Sequence, residues 1–89
     1  VEKILLENTD PYMGTYEIVP GTDLIITGRN GVLMLQAPGQ NPIGIDAFAD
    51  GTFVITLAGA VIEFQGSPET GITGLKMIQG SNVTHAIKK

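Results

Sequence analysis

The chain has no cysteine and no tryptophan, one histidine, and five lysines and arginines among 89 residues. Without cysteine there are no disulfides and no thiolate metal sites. The redox compartment stays open, because an oxidising compartment permits disulfides without requiring them. The basic residues are scattered, and the net charge is −4. Nucleic-acid backbones and anionic membrane surfaces are held by clustered basic side chains, so neither is an expected partner. Unbroken aliphatic runs such as Val32-Leu33-Met34-Leu35 have strand length, against roughly 20 apolar residues for a transmembrane helix. No membrane span is expected. No basic segment leads into an apolar signal core. The acids do not gather at metal-ligand spacing, and no loop has the acid density of a calcium site. No metal and no cofactor is expected.

What is present is a rhythm. Eight short segments alternate apolar and polar residues, and each is closed by Gly, Pro, Asn or Asp. Strict alternation places apolar side chains on one face of a strand. The segments predict strands over residues 12–19, 23–28, 32–37, 43–49, 52–57, 60–65, 72–79 and 83–88. Asn30-Gly31 is the strongest hairpin signal, because both residues tolerate the positive φ of a type I′ turn. Gly14, between Tyr12 and Tyr16, predicts a bend or a close backbone approach. Connections this short favour antiparallel neighbours. The expected fold is therefore all-β: an eight-stranded antiparallel up-and-down meander, closed as a barrel or bent as a half-barrel.

Residues 1–11 are expected to be a short helix or linker, with Val1, Ile4, Leu5 and Leu6 on one face, ended by Asn8 and Asp10-Pro11. So short a helix is stable only when docked, for instance across one barrel end. Residues 12–89 form the barrel domain. The chain starts at Val1 rather than Met, which fits a mature product or a segment of a longer protein. It is 43% hydrophobic and 16% charged, against about a quarter charged in ordinary domains. Either the barrel is unusually well filled, or apolar surface faces a partner.

Candidate sites are sparse. His85 alternates with Val83 and Ile87, so it is expected on their face as a partly buried strand histidine. Ser67 and Ser81 lie in neighbouring elements, but nothing in the spacing makes a Ser-His-acid triad converge. Asp46, Asp50 and Glu63 are acids that a paired-carboxylate mechanism would need to flank a substrate. Asp50 is at home in a turn, however, and the other two suit solvent-facing strand positions. Asn82-Val83-Thr84 is a glycosylation sequon. No catalytic residue is expected. The binding candidates are Tyr16, Met34, Phe48, Phe53, Phe64 and Met77, each from a different strand and read as barrel interior. They fill the barrel, line a cavity for a small apolar or amphipathic ligand, or form a docking patch.

Tyr12-Met13-Gly14-Thr15-Tyr16-Glu17, Pro20-Gly21 and Leu24-Ile25-Ile26-Thr27 open the barrel region, and Ile62-Glu63-Phe64, Gly71-Ile72-Thr73-Gly74-Leu75 and the closing Ala86-Ile87-Lys88 follow. Together they resemble the lipocalin-like C-terminal accessory domain, a domain of unknown function, that trails β-lactamase-related and penicillin-binding-protein-like serine hydrolases. The resemblance implies a lipocalin-like barrel or half-barrel over residues 12–89 and a non-catalytic role beside an upstream hydrolase domain. It also implies a bacterial, periplasmic or exported setting. The parental Ser-x-x-Lys is absent, since neither Ser67 nor Ser81 has Lys three residues on. The loop around Ser67-Pro68 also departs from the family, which usually has a charged turn there. Possible partners are that hydrolase domain, a second copy of the chain, or a small apolar ligand.

Overall fold

A computed structural model describes residues 2–89. Nine strands run in chain order: β1 (Lys3–Ile4), β2 (Gly14–Val19), β3 (Thr22–Arg29), β4 (Val32–Gln36), β5 (Ile43–Phe48), β6 (Phe53–Ile55), β7 (Ala60–Ser67), β8 (Gly71–Gln79) and β9 (Asn82–Lys88). Strands β2 to β9 pair with their chain neighbours, all antiparallel. The circle closes where β2 meets β9 through Tyr16–Lys88 and Glu17–Ile87. The result is the expected eight-stranded meander, as a closed barrel. Pairing β2 with β9 covers the two terminal edges that an open meander would leave exposed.

The alternation read from the sequence sorts the side chains. Leu24 and Ile26 of β3, Leu33 and Leu35 of β4, Ile45 and Ala47 of β5, and Ile55, Ile62, Leu75 and Ala86 of the later strands are all buried in one core. Their polar neighbours, such as Asp23, Glu63 and Lys76, lie on the outer face. This polarity is the reverse of a transmembrane barrel, whose lipid-facing side is the apolar one. Among the described residues, no helix is long and apolar enough to cross a membrane. Asn30 (φ 54°) and Gly31 (φ 81°) both adopt the left-handed conformation, as a type I′ turn requires.

The N-terminal segment departs from expectation. There is no helix over the described part of residues 1–7 (Val1 lies outside the described residues). Lys3 and Ile4 are strand, paired with Phe48 and Ala47. Ala47 also pairs with Phe53 of β6, so β1 occupies the edge of β5 that β4 has left. The flanking bonds Ala49 N–H to Glu2 O (2.8 Å) and Leu6 N–H to Gly31 O (2.9 Å) complete the join. So few residues hold no helix unaided, whereas a vacant strand edge offers the backbone immediate partners.

Two further boundaries shift. Asp10–Tyr12 is a 3-10 turn, with Pro11 in its first turn, so the first barrel strand starts at Gly14. After Ile55 the chain leaves the sheet in a second 3-10 turn, Thr56–Ala58, closed by Gly59 at φ 63°. This turn leaves Leu57 86% exposed.

Candidate functional sites at the barrel ends

The meander places the 29–32, 48–53 and 67–71 connections at one end, together with the Asp10–Tyr12 turn. The 19–22, 36–43, 55–60 and 79–82 connections lie at the other. The first end is stoppered. The Asp10–Tyr12 turn touches both β3 and β8, which flank the β2–β9 seam. Thr9 lies against Gly28, where any Cβ would collide with it. Tyr12 then packs on Phe53 (ring centroids 5.4 Å apart) and Phe64 (4.9 Å), and Phe53 meets Phe64 edge-on at 5.1 Å. Tilted and edge-to-face geometry is the favourable one for aromatic rings. Tyr16 reaches the same cluster from β2, with its ring centroid 6.2 Å from that of Phe64. Its hydroxyl donates to the Tyr12 carbonyl at 2.7 Å. Burial pushes the Tyr16 phenol up to about 12, and burial also raises Tyr12, assisted by nearby Glu69.

The chain's C-terminal residues secure this end. Lys88 lays its aliphatic stem over Gly14, within 2.9 Å of where a Cβ would stand, and it is the φ of 147° that accounts for the glycine. Its ammonium donates to the Pro11 carbonyl at 3.0 Å. Lys89 donates its backbone N–H to Thr15 O, and its ammonium lies 3.0 Å from Asp23 and 3.5 Å from Glu17. The hydrogen bond from Lys89 to Asp23, joined by both carboxylate charges, raises the Lys89 pKa.

Among the described residues, none stoppers the second end. A recess of about 290 Å³ opens there, floored by Leu24, Leu35, Ile43, Ile55 and Met77 and rimmed by Gln40, Asn41 and Gln79. None of its lining residues is charged. Gln79 is held by its bond to Ala58 O at 2.6 Å.

Of the six interior candidates, Tyr16, Phe53, Phe64 and Met77 do belong to the core or pack on it. Met34 and Phe48 do not. Met34 sits between Leu33 and Leu35, both buried, so the strand alternation turns it outward. There it borders an open groove with Thr27, Val32 and Pro42. Phe48 follows the inward Ala47 and faces out beside Lys3. Both were assigned by residue type rather than by strand parity. Tyr12, expected in the first strand on the face of Tyr16, also packs on the core, but it does so from a 3-10 turn. The pairing of Gly28 with Thr9 was missed, since a contact between segments so far apart in sequence carries no local signal.

The catalytic readings do not assemble. His85 shares the outer face of Val83 and Ile87, as expected, but it is exposed rather than partly buried. It pairs across from Lys76, while Ser67 pairs with Gly71. Gly71 and Lys76 are five positions apart on β8, about 17 Å along the strand. Ser67 instead bonds Thr70 within its own loop. Asp46 accepts from Thr56 Oγ1 (2.6 Å) and lies 3.0 Å from Lys3. These partners, Thr56 first, hold its carboxyl below the usual range. Asp50 accepts from the Thr52 N–H in its turn, and Glu63 lies 3.4 Å from Lys76. Each acid therefore has a local partner. Among the described residues, no group of acids and histidines is arranged to hold a metal.

Comparison with protein-family models, curated proteins and solved structures finds no match to this chain.

The outer surface carries one continuous apolar feature. Val54, Val61, Ile78 and Val83 are successive cross-strand partners on β6, β7, β8 and β9. They form a row of β-branched side chains across four strands, ending at Val83, which is 51% exposed. Ile87 (72%), Leu57 (86%) and Leu5 (68%) are exposed elsewhere.

Proposed function

We propose that this chain is a non-catalytic accessory domain that acts through contact with another polypeptide. The family resemblance makes that neighbour a bacterial β-lactamase-related serine hydrolase in a periplasmic or exported setting. The observation that carries the reading is the distribution of apolar groups. Apolar side chains pack together in the middle of the barrel, while large aliphatic residues such as Leu57 and Ile87 stand exposed on its outside. A module that works by being covered keeps such residues on its surface. Asp46, Asp50, Glu63 and Ser67 each bond to a local partner. The test is to determine the reading frame upstream of Val1 and express that region with and without this chain. Hydrolysis of a chromogenic β-lactam and an ester is then measured, with the melting temperature of each product. A change in activity or stability on adding this chain supports the accessory role. No change in either rejects it.

The uncapped recess favours a second reading, a free-standing lipocalin-like binder of a small neutral apolar or amphipathic molecule. Its volume of about 290 Å³ stands at the lower limit of ligand pockets. Native mass spectrometry of the purified chain distinguishes the two. An adduct that Met77→Glu abolishes while the fold persists supports the binder, and bare protein rejects it.

A further inference from the structure

Two strands of the barrel are left by their neighbours before they end. Strand β4 pairs with β5 only from Ile43 to Ile45, and the remaining edge of β5 is taken up by β1. Strand β6 pairs with β7 only over Ala60, Val61 and Ile62. Beyond Ile62, the edge of β7 that faces β6 has no strand partner in the sheet. A cleft of about 400 Å³ lies along this stretch, between β7 and the turn that carries Asp50, Gly51 and Thr52. Tyr12, Phe53 and Phe64 line it. The molecule thus contains the same structural problem twice, once solved by adding a short strand and once left open.

We propose that the free edge of β7, from Glu63 to the bulge at Gln65 and Gly66, binds an extended peptide segment by strand addition. Unpaired strand edges are ready templates for such pairing. An added strand presents alternate side chains to opposite faces. One set enters the cleft and meets Tyr12, Phe53 and Phe64, so it is apolar or aromatic. The other set lies outside, near Glu63 and the turn carboxylate Asp50. The cleft lining holds both of these acids and no basic residue; Glu63 already meets Lys76 at 3.4 Å across an exposed pair that an incoming cation can share, and the whole chain carries −4. The segment that fits therefore alternates apolar with basic residues. The bulge at Gln65 and Gly66 keeps the paired stretch short. This inference shares with the accessory-domain reading only the idea that the chain works by contact, and its test uses no hydrolase.

The probe is an acetylated, amidated hexapeptide alternating lysine with phenylalanine or valine, titrated into the isotope-labelled chain and followed by amide NMR. Binding is expected to shift, and to slow the exchange of, amides in residues 51–53 and 63–66. N-methylating the peptide on alternate residues blocks strand hydrogen bonds and is expected to weaken binding at least about tenfold. Glu63→Lys, at an exposed site that leaves the core intact, is expected to weaken it at least about fivefold. Replacing the peptide lysines with glutamate should do likewise. The proposal is overturned by an unperturbed spectrum, by shifts that map to another surface such as the Val54–Val83 row, or by binding indifferent to N-methylation. Any of these leaves the accessory-domain reading standing, because that reading is decided by the neighbouring region's activity.

Discussion

The two ends of this barrel are built from the same alternating strands and finished differently. One is closed by the Asp10–Tyr12 turn, with Tyr12 set into an aromatic cluster and Lys88 folded over Gly14. The other stops above a floor of Leu24, Leu35 and Met77 and leaves a neutral recess. Strand alternation fills the middle of a barrel but does not close its ends. Closing an end takes a segment from outside the sheet, and among the described residues one such segment is seated. Where the stopper sits, substitutions should disturb a packed network. Where it does not, the structure has room to yield.

The largest contrast is expected between Phe64 and Met77. Phe64→Ala removes a ring that contacts Tyr12, Tyr16 and Phe53, and should cost about 3 kcal/mol in urea unfolding. Met77→Ala, bordering the recess, should cost about 2 kcal/mol or less. Equal losses would show that the recess is as tightly packed as the stoppered end.

Alanine enlargement sharpens the point in the other direction. Ala60 is fully buried, and Ala60→Leu should cost about 1–3 kcal/mol through overpacking. Ala37 borders the recess, and Ala37→Leu should stay within about 0.5 kcal/mol of neutral. A comparable penalty at both would mean the recess has no space to give.

Gly28→Ala drives a methyl into Thr9. Stability should fall by about 1–2 kcal/mol. Faster hydrogen exchange should be confined to the Tyr12 and Met13 amides, which bond back to Thr9 and Asp10. Global acceleration would show that the stopper is integral to the barrel rather than laid upon it.

Tyr16→Phe deletes the bond to the Tyr12 carbonyl and should cost about 1 kcal/mol. The same phenol gives the end a pH signature. Its pKa rises from 10.0 in the unfolded chain to about 12 when folded. The folded state holds the proton more tightly, so this contribution is complete below pH 10 and is lost as the pH climbs toward 12. Alkaline unfolding followed at the tyrosinate absorbance should shift in the Tyr16→Phe variant. At the outer face, Asp46→Asn should cost only a few tenths of a kcal/mol, as exposed pairs do. Asp46 has a lowered pKa, so its contribution is present at neutral pH and lost on acidification. Adding salt should shrink the effect.

Much of the barrel was legible before its structure. Eight alternating segments with short turns map onto β2 to β9, and Asn30-Gly31 forms the predicted turn. The recurrent error lay in reading residue types instead of parity. Met34 and Phe48 look like interior residues by composition, yet the buried Leu33, Leu35 and Ala47 beside them fix which way they face. The N-terminal segment was misread for a different reason. Its apolar spacing suits a helix, but the competing state depends on an edge of β5 more than forty residues away.

The sequence alone determined the strand alternation, the turn positions and the separation of apolar from polar faces, because these depend on neighbours within a few residues. The tertiary structure decided the rest. It chose which strand edges stay open, seated Thr9 on Gly28, and brought Tyr12, Tyr16, Phe53 and Phe64 into one cluster. Those outcomes depend on barrel closure, which sets register between distant segments and leaves no mark in local sequence.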